Sequence, residues 1–266
     1  MQASFVQVSD LHFGQEDGQA LDLAAQVIAE RKPDAVIVSG DLTALGSERE
    51  MRNAFVWLRA LPAPVLATPG NHDTPYFDLL PRLFDPFRSF RKNSEGIHTD
   101  AWINERFVIV PINTARGIQW RKNWALGAIS MAQVRHACEI LSGAPPSAAK
   151  IVVTHHPLAW PTRAPIAGDT RGGPHALEKL IEAGADLFLS GHLHQSAVEL
   201  IEQKGRSAHL VSAGTLSIRH RGEPASFLYI ERSAEGVWSF ERMSVGESGD
   251  LRVEQAPAEP IIPALV

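Results

Sequence analysis

Short apolar, β-branched runs recur along this chain with helix-period stretches between them, and this alternation constrains its fold more than any other feature. The runs are Phe5 to Val8, Ala35 to Ser39, Val65 to Thr68, Phe107 to Ile112, Ile151 to Thr154 and Leu187 to Ser190. Each has the length of a buried strand, and with amphipathic stretches between them they predict an α/β fold. Leu21, Ala24, Val27 and Ile28 fall three and four apart, so they share one helix face. Met51, Ala54, Phe55 and Leu58 repeat that stripe behind Ser47 and Glu50, which are spaced as a capping box. Val134, Ala137, Cys138 and Leu141 do the same behind Ser130 and Gln133, so Cys138 reads as core rather than as a nucleophile.

Beyond Val198 only strand patterns remain, at His209 to Ser212, Phe227 to Ile230 and Val237 to Arg242, which predicts a meander on a sheet edge. Residues 1–253 are therefore expected to form one domain, followed by an Ala/Pro-rich tail, 254–266, that is extended or mobile. The stretch Thr74 to Glu95 has no clear period and is expected to be a lid or irregular packing. At 266 residues and 44% hydrophobic, the chain can bury a sizeable core. Its net charge of -5 argues against a broad nucleic-acid surface. No apolar stretch approaches the roughly 20 residues of a membrane span. Cys138 has no cysteine to pair with and the first residues look like a strand rather than a leader, so a cytoplasmic location is expected. The tail is free to reach a second copy, which leaves a homo-oligomer open.

The chemistry concentrates where the apolar runs end. In order these ends read Ser9-Asp10-Leu11-His12, Ser39-Gly40-Asp41-Leu42, Pro69-Gly70-Asn71-His72-Asp73, Thr154-His155-His156-Pro157 and Ser190-Gly191-His192-Leu193-His194. Groups at the carboxyl ends of neighbouring strands converge in one crevice. Carboxylates, an amide oxygen and imidazoles without thiolates suit a catalytic Mn, Fe or Zn site rather than a structural zinc. Asp10/His12 and His192/His194 are two residues apart, so each pair projects the same way from extended backbone. Gly40, Gly70 and Gly191 directly precede candidate ligands and permit close approach of the backbone.

This ordered series resembles the calcineurin-like metallophosphoesterase superfamily, and within it is most similar to bacterial class III cyclic-nucleotide phosphodiesterases. The resemblance implies a four-layer αββα sandwich of two mixed sheets flanked by helices. It implies two divalent metal ions, Mn, Fe or Zn, one on Asp10, His12, Asp41 and His194 and the other on Asp41, Asn71, His155 and His192. Asp41 then bridges the two. With two carboxylates against two divalent ions, the site keeps roughly two positive charges for a small phosphoester substrate. The implied reaction is phosphodiester hydrolysis, of cyclic nucleotides or glycerophosphodiesters, by a hydroxide that bridges the metals. His72 faces the phosphoryl group or leaving oxygen as a proton donor, and Asp73 is expected to orient its ring. The alternatives are a metal-dependent nuclease and a metal-stabilised, non-enzymatic binding module.

Other residues carry weaker expectations. His156, Arg219 and Arg221 are candidate substrate contacts, the arginines through bidentate contacts to a phosphate. Arg116, Trp120, Arg121 and Trp124 could rim a pocket that stacks a base. His98, His136, His175 and His209 are assigned structural roles.

Overall fold

The computed structural model describes residues 2–161, 163–246 and 248–261. The chain begins with β1 (Ala3–Val8), α1 (Gly18–Arg31), β2 (Ala35–Val38), α2 (Glu48–Ala60) and β3 (Val65–Ala67). Two short helices follow, α3 (Leu79–Phe84) and α4 (Arg88–Asn93), then β4 (Trp102–Ile103), β5 (Phe107–Pro111), β6 (Gly127–Ala128) and α5 (Met131–Gly143). Next come β7 (Ala149–Val153), β8 (Thr170–Arg171), α6 (Gly173–Glu182) and β9 (Leu187–Ser190). The last elements are all strands: β10 (Ala197–Gln203), β11 (Arg206–Ser212), β12 (Ser226–Arg232), β13 (Trp238–Val245), β14 (Leu251–Gln255) and β15 (Glu259–Pro260).

Two mixed sheets result, in the orders β14-β13-β12-β1-β2-β3 and β15-β10-β11-β9-β7-β5-β4, with β6 and β8 as a separate pair. β1, β2 and β3 run parallel, as do β5, β7, β9 and β11. The period of two along each strand sorts its side chains into different cores. Phe5, Ile37 and Leu66 point inward to meet Ile109, Ile151 and Leu189 of the facing sheet. Their neighbours Val6, Val36 and Val38 point outward, against Leu21 and Ala24 of α1 and Met51 and Phe55 of α2. On the second sheet Val108, Val152 and Phe188 face Val134 and Leu141 of α5 and Leu177 and Leu180 of α6. Three apolar layers thus separate four layers of secondary structure, which is the αββα sandwich. Phe5 and Phe107 meet edge to face across the central layer, ring centroids 5.3 Å apart, and truncating either to Ala would cost about 3–5 kcal/mol.

The helix ends follow from local chemistry. Ser47 and Glu50 close one capping box and Ser130 and Gln133 another, while Asp17 caps α1 through the amides of Gln19 and Ala20. Cys138 is only half-buried on α5, its sulfur 3.5 Å from the Lys179 carbonyl, so it packs at the margin of the core rather than inside it.

The edge meander is corrected. β10 and β11 extend the second sheet, but β12 crosses to the first, where it pairs antiparallel with β1 and lies between β1 and β13. Strand periodicity reports which face is buried, not which sheet buries it. Of the expected tail, Glu254 and Gln255 finish β14, and Glu259–Pro260 adds to β10; residues 262–266 lie outside the described residues. Among the described residues no helix is long and apolar enough to cross a membrane.

Candidate metal centre

All five motifs follow strands that run in parallel sets, β1, β2 and β3 in one sheet and β7 and β9 in the other. Their loops are tied together by backbone. Asp10 N–H donates to the Gly40 carbonyl at 3.0 Å, His12 N–H to that of Asp41 at 3.0 Å, and Phe13 N–H to that of Leu42 at 2.9 Å. Asp10, His12, Asp41, His192 and His194 all have left-handed backbone, with φ between 45° and 69°. Two glycines make the approach possible. A Cβ on Gly70 would lie 2.2 Å from Asp41 Oδ1, and one on Gly191 would lie 1.8 Å from Ser9 Oγ.

The hydrogen bonds fix which imidazole nitrogens are bare. His12 Nδ1 lies 3.1 Å from the Thr43 carbonyl and His194 Nδ1 lies 2.6 Å from that of Arg219. A carbonyl only accepts, so each Nδ1 carries the proton and, in the neutral ring, each Nε2 is a lone pair. Those two Nε2 atoms face each other at 3.2 Å, and Asp10 Oδ1 lies 3.0 Å from one and 3.7 Å from the other. Buried Asp10 Oδ1 makes no hydrogen bond. Three acceptors turned on one point repel unless a cation lies among them.

The same arrangement recurs beside it. His155 Nδ1 is 2.8 Å from the Ser39 carbonyl, which leaves Nε2 facing Asp41 Oδ2 at 3.3 Å and Asn71 Oδ1 at 3.2 Å. The His192 ring packs against that of His155, centroids 5.2 Å apart. Asp41 Oδ2 stands between the two groups, 3.9 Å from His12 Nε2 on its other side, while Asp41 Oδ1 accepts the His72 amide at 2.7 Å. The donor set and its bare lone pairs fit divalent metal: Asp10, His12 and His194 converge as one cluster, and Asp10, Asp41 and His155 as another.

Electrostatics in the metal-free chain say the same. Burial would raise both Asp10 and Asp41, but the surrounding imidazoles hold both carboxyls below the usual range. Burial pulls His12 and His192 down to about 3, so both rings are neutral and the approach of His12 to the two aspartates is no ion pair. His155 moves the other way: against burial, Asp41 pushes it up to about 9. A proton on His155 takes the place of a cation.

Around these groups the remaining residues divide. His72 is half-exposed, with Nδ1 on the Ala44 carbonyl at 2.7 Å and its ring edge-on to His12 at 4.8 Å. Arg219 Nη1 lies 3.3 Å from His72 Nε2, and Arg221 Nη1 donates to the His192 carbonyl at 2.7 Å, so both arginines reach the site. Asp73 does not orient His72. Its carboxylate accepts from the amides of Leu42, Thr43 and Gly70 and from the Thr43 hydroxyl, tying the loop after β2 to the loop after β3. Burial and the Asp41 charge push it up to about 7 against those four donors. His156, a candidate substrate contact in the sequence, lies inside the protein. It is fully buried, its Nε2 on the Ala125 carbonyl at 2.8 Å and its Nδ1 against the Thr114 hydroxyl at 2.9 Å, so both nitrogens are committed within the protein.

The expected base-stacking rim does not assemble either. Arg116 is held by the Asn113 and Ala115 carbonyls and Gln133, Arg121 pairs with Asp169, and Trp120 stands in solvent. Sequence reasoning missed Ser9, whose hydroxyl donates to Asp10 Oδ2 at 2.6 Å, and Thr215, whose hydroxyl donates to the Asp10 carbonyl at 2.7 Å. It also missed Trp160, whose ring lies 5.8 Å from His192. Ser9 stood in the first motif; the other two carry no local signal.

Comparison with known proteins agrees with this fold. The chain is 26% identical over 261 residues to a probable cyclic nucleotide phosphodiesterase of a Synechococcus strain, covering 90% of this chain and 91% of that one. Among solved structures, a dimetal phosphatase from Danio rerio superposes with a TM-score of 0.64 at 12% identity, over 96% of this chain and 99% of that one. A purple acid phosphatase from yellow lupin seeds gives 0.64 at 13% identity, over 97% of this chain and 54% of that one. GAP50, the anchor in the inner membrane complex of Plasmodium, gives 0.61 at 14% identity, over 97% of this chain and 89% of that one. At these identities the structures speak for the fold alone. The family model for calcineurin-like phosphoesterases matches residues 3–196, and the chain belongs to that family.

Proposed function

We propose that the protein is a dinuclear-metal phosphodiesterase acting on small diesters, with cyclic nucleotides or glycerophosphodiesters as the leading classes. The observation that carries this reading is the convergence of the bare His12 and His194 Nε2 lone pairs on the orphaned Asp10 Oδ1, with Asp41 Oδ2 standing between them and His155 Nε2. In this proposal Asp10, His12, Asp41 and His194 hold one divalent ion, and Asp41, Asn71, His155 and His192 hold the other. Bound there, two ions of Mn, Fe or Zn supply Lewis-acid charge and lower the pKa of water toward neutrality.

The chain's own groups do the rest. Carbonyls of Thr43, Arg219 and Ser39 hold three ligand imidazoles in the tautomer that presents Nε2. Arg219 and Arg221 bind phosphoryl charge at the open side. His72, its Nδ1–H fixed on the Ala44 carbonyl, moves a proton between Nε2 and the leaving ester oxygen. Asp73 acts by fixing the backbone on which Asp41 and His72 ride. We also propose a single domain that runs on through β14 and β15 rather than ending at residue 253, and a cytoplasmic location. The diester preference rests on the likeness to the probable cyclic nucleotide phosphodiesterase of Synechococcus.

The test is a substrate panel on Mn-reconstituted protein, covering cyclic nucleotides, glycerophosphodiesters, nucleic acids and monoesters. Fastest turnover on a small diester supports the reading, and faster turnover on monoesters or nucleic acid overturns it. Protein that holds two metals yet hydrolyses nothing is a binding module.

A further inference from the structure

α3 is inside out. Its sequence, Leu79-Leu80-Pro81-Arg82-Leu83-Phe84, buries only the arginine, 8% exposed, while Phe77, Leu79, Leu80, Leu83 and Phe84 stand 53–80% exposed. A surface helix ordinarily does the reverse. Arg82 is held from beneath: Nε donates to the Gly117 carbonyl at 2.8 Å and Nη1 to that of Pro75 at 3.1 Å, and the guanidinium lies over Trp124 at 5.5 Å. A Cβ on Gly117 would lie 2.1 Å from the Arg82 carbonyl, so the loop carrying fully exposed Trp120 is pressed against α3. The inversion is therefore built in by specific contacts.

Counting about 150–250 Å² for a whole aromatic side chain, these five residues and Trp120 expose roughly 800 Å² of apolar surface. The largest patch on an ordinary monomer is about 300–600 Å². One partner in a stable protein interface contributes about 800 Å².

Charge selects the occupant. A lipid surface is met by apolar side chains ringed with free basic ones. Here the rim is mixed in sign: Arg91 pairs with Asp85, Lys92 with Glu48 and Arg121 with Asp169, and exposed Arg88 and Lys122 are offset by exposed Asp78 and by the chain's net charge of -5. An apolar patch whose rim carries both signs of charge, rather than a basic ring, is complementary to itself across a two-fold axis. We infer that α3 with the Trp120 loop is a self-association surface, and that the protein is an isologous dimer through it. The surface adjoins the metal centre: the Tyr76 amide donates to the Leu45 carbonyl at 3.1 Å, next to the Ala44 carbonyl that holds His72. A dimer through this surface would therefore form next to the loop that holds His72.

The experiment is light scattering of the metal-loaded full chain over a micromolar concentration series. It compares wild type, the double substitution Leu80→Glu/Phe84→Glu, and Val56→Glu, an exposed apolar site on α2. Wild type and Val56→Glu should show twice the chain mass of 29.0 kDa, and the double variant a two-fold lower mass with unchanged metal content and Tm. A monomeric wild type, or a dimeric double variant, overturns the inference. A monomeric wild type that binds phosphatidylcholine vesicles assigns the patch to lipid instead and also overturns it. Should the double variant fail to fold, hydrogen exchange on wild type decides: amides of residues 76–84 and 117–124 must slow as concentration rises, and exchange independent of concentration refutes the dimer.

Discussion

Stripping metal from this protein should make its stability steeply dependent on pH in a window where the metal-loaded form is indifferent. His155 is the reason. In the metal-free chain its Nε2, 3.3 Å from Asp41 Oδ2, carries a proton with a folded pKa of about 9, against about 6.5 in the unfolded chain. A group whose pKa is raised by folding contributes its full stabilisation below the unfolded value and loses it as pH rises through the folded one. The difference corresponds to about 3 kcal/mol at most, of which most remains at pH 7 and little at pH 9.5. Metal displaces that proton, so the loaded protein has nothing to lose there. For a chain of this size the loss lowers Tm by about 5–10 °C. Thermal unfolding of EDTA-stripped and Mn-loaded protein at pH 7 and 9.5, at one scan rate, measures it. Equal pH dependence in the two forms would refute the account of His155 as the holder of a displaceable proton.

Three further outcomes are expected. His192→Ala and His194→Ala should each retain one metal by elemental analysis, and metal-edge absorption should show different ligand sets, whereas Asp41→Ala should retain neither; two ions on Asp41→Ala would remove it as the bridge. Asp73→Ala leaves the buried amides of Leu42, Thr43 and Gly70 without an acceptor, while the Thr43 hydroxyl keeps the His72 carbonyl, so denaturant unfolding should show a loss of about 3 kcal/mol, and a loss under about 1 kcal/mol would contradict its loop-tying role. Gly191→Ala places a Cβ 1.8 Å from Ser9 Oγ, which should cost about 1–3 kcal/mol and lower metal occupancy; a variant with full metal content and unchanged Tm would show that the approach of these loops is slack.

Much of this arrangement is legible in the sequence because strand ends are marked twice, by an apolar run that stops and by a glycine next to a ligand. That signal is complete at Asp41, Asn71 and His192, and at Asp10 and His155 the end of the run stands alone. It was silent on partners distant along the chain. Thr215, which grips the Asp10 carbonyl, is 205 positions away, and the crossing of β12 to the first sheet depends on long-range pairing that periodicity does not encode. The surroundings of Asp73 and His156 are illegible in the sequence for a related reason. Asp73 follows His72 and His156 follows His155, but adjacent side chains in a tight loop turn to opposite sides, and theirs turn into the packed interior, where backbone and hydroxyl groups claim every polar atom. α3 was opaque because its pattern is apolar and helical; only the structure shows which side is out.

The left-handed residues tie strain to chemistry. Apart from glycine, the described residues with positive φ are Asp10, His12, Lys32, Asp41, His192, His194 and Lys204, and all but the two lysines are candidate ligands. Such backbone costs an ordinary side chain roughly 1–2 kcal/mol. The lysines occupy a helix cap and a hairpin turn, where local geometry explains the conformation. The ligands have no such local excuse; they are held by the hydrogen bonds among their loops and by two sheets that cannot yield. The strain turns their side chains inward, away from the direction an extended strand end would give them, and stacks acceptor against acceptor. A fold that tolerates both costs at the same five positions is over-determined by its surroundings, and cation binding relieves the second cost without removing the first. Metal affinity in this protein is therefore set by the scaffold as much as by the ligands, and loosening Asp73 or Gly191 should weaken it although neither is proposed to touch metal.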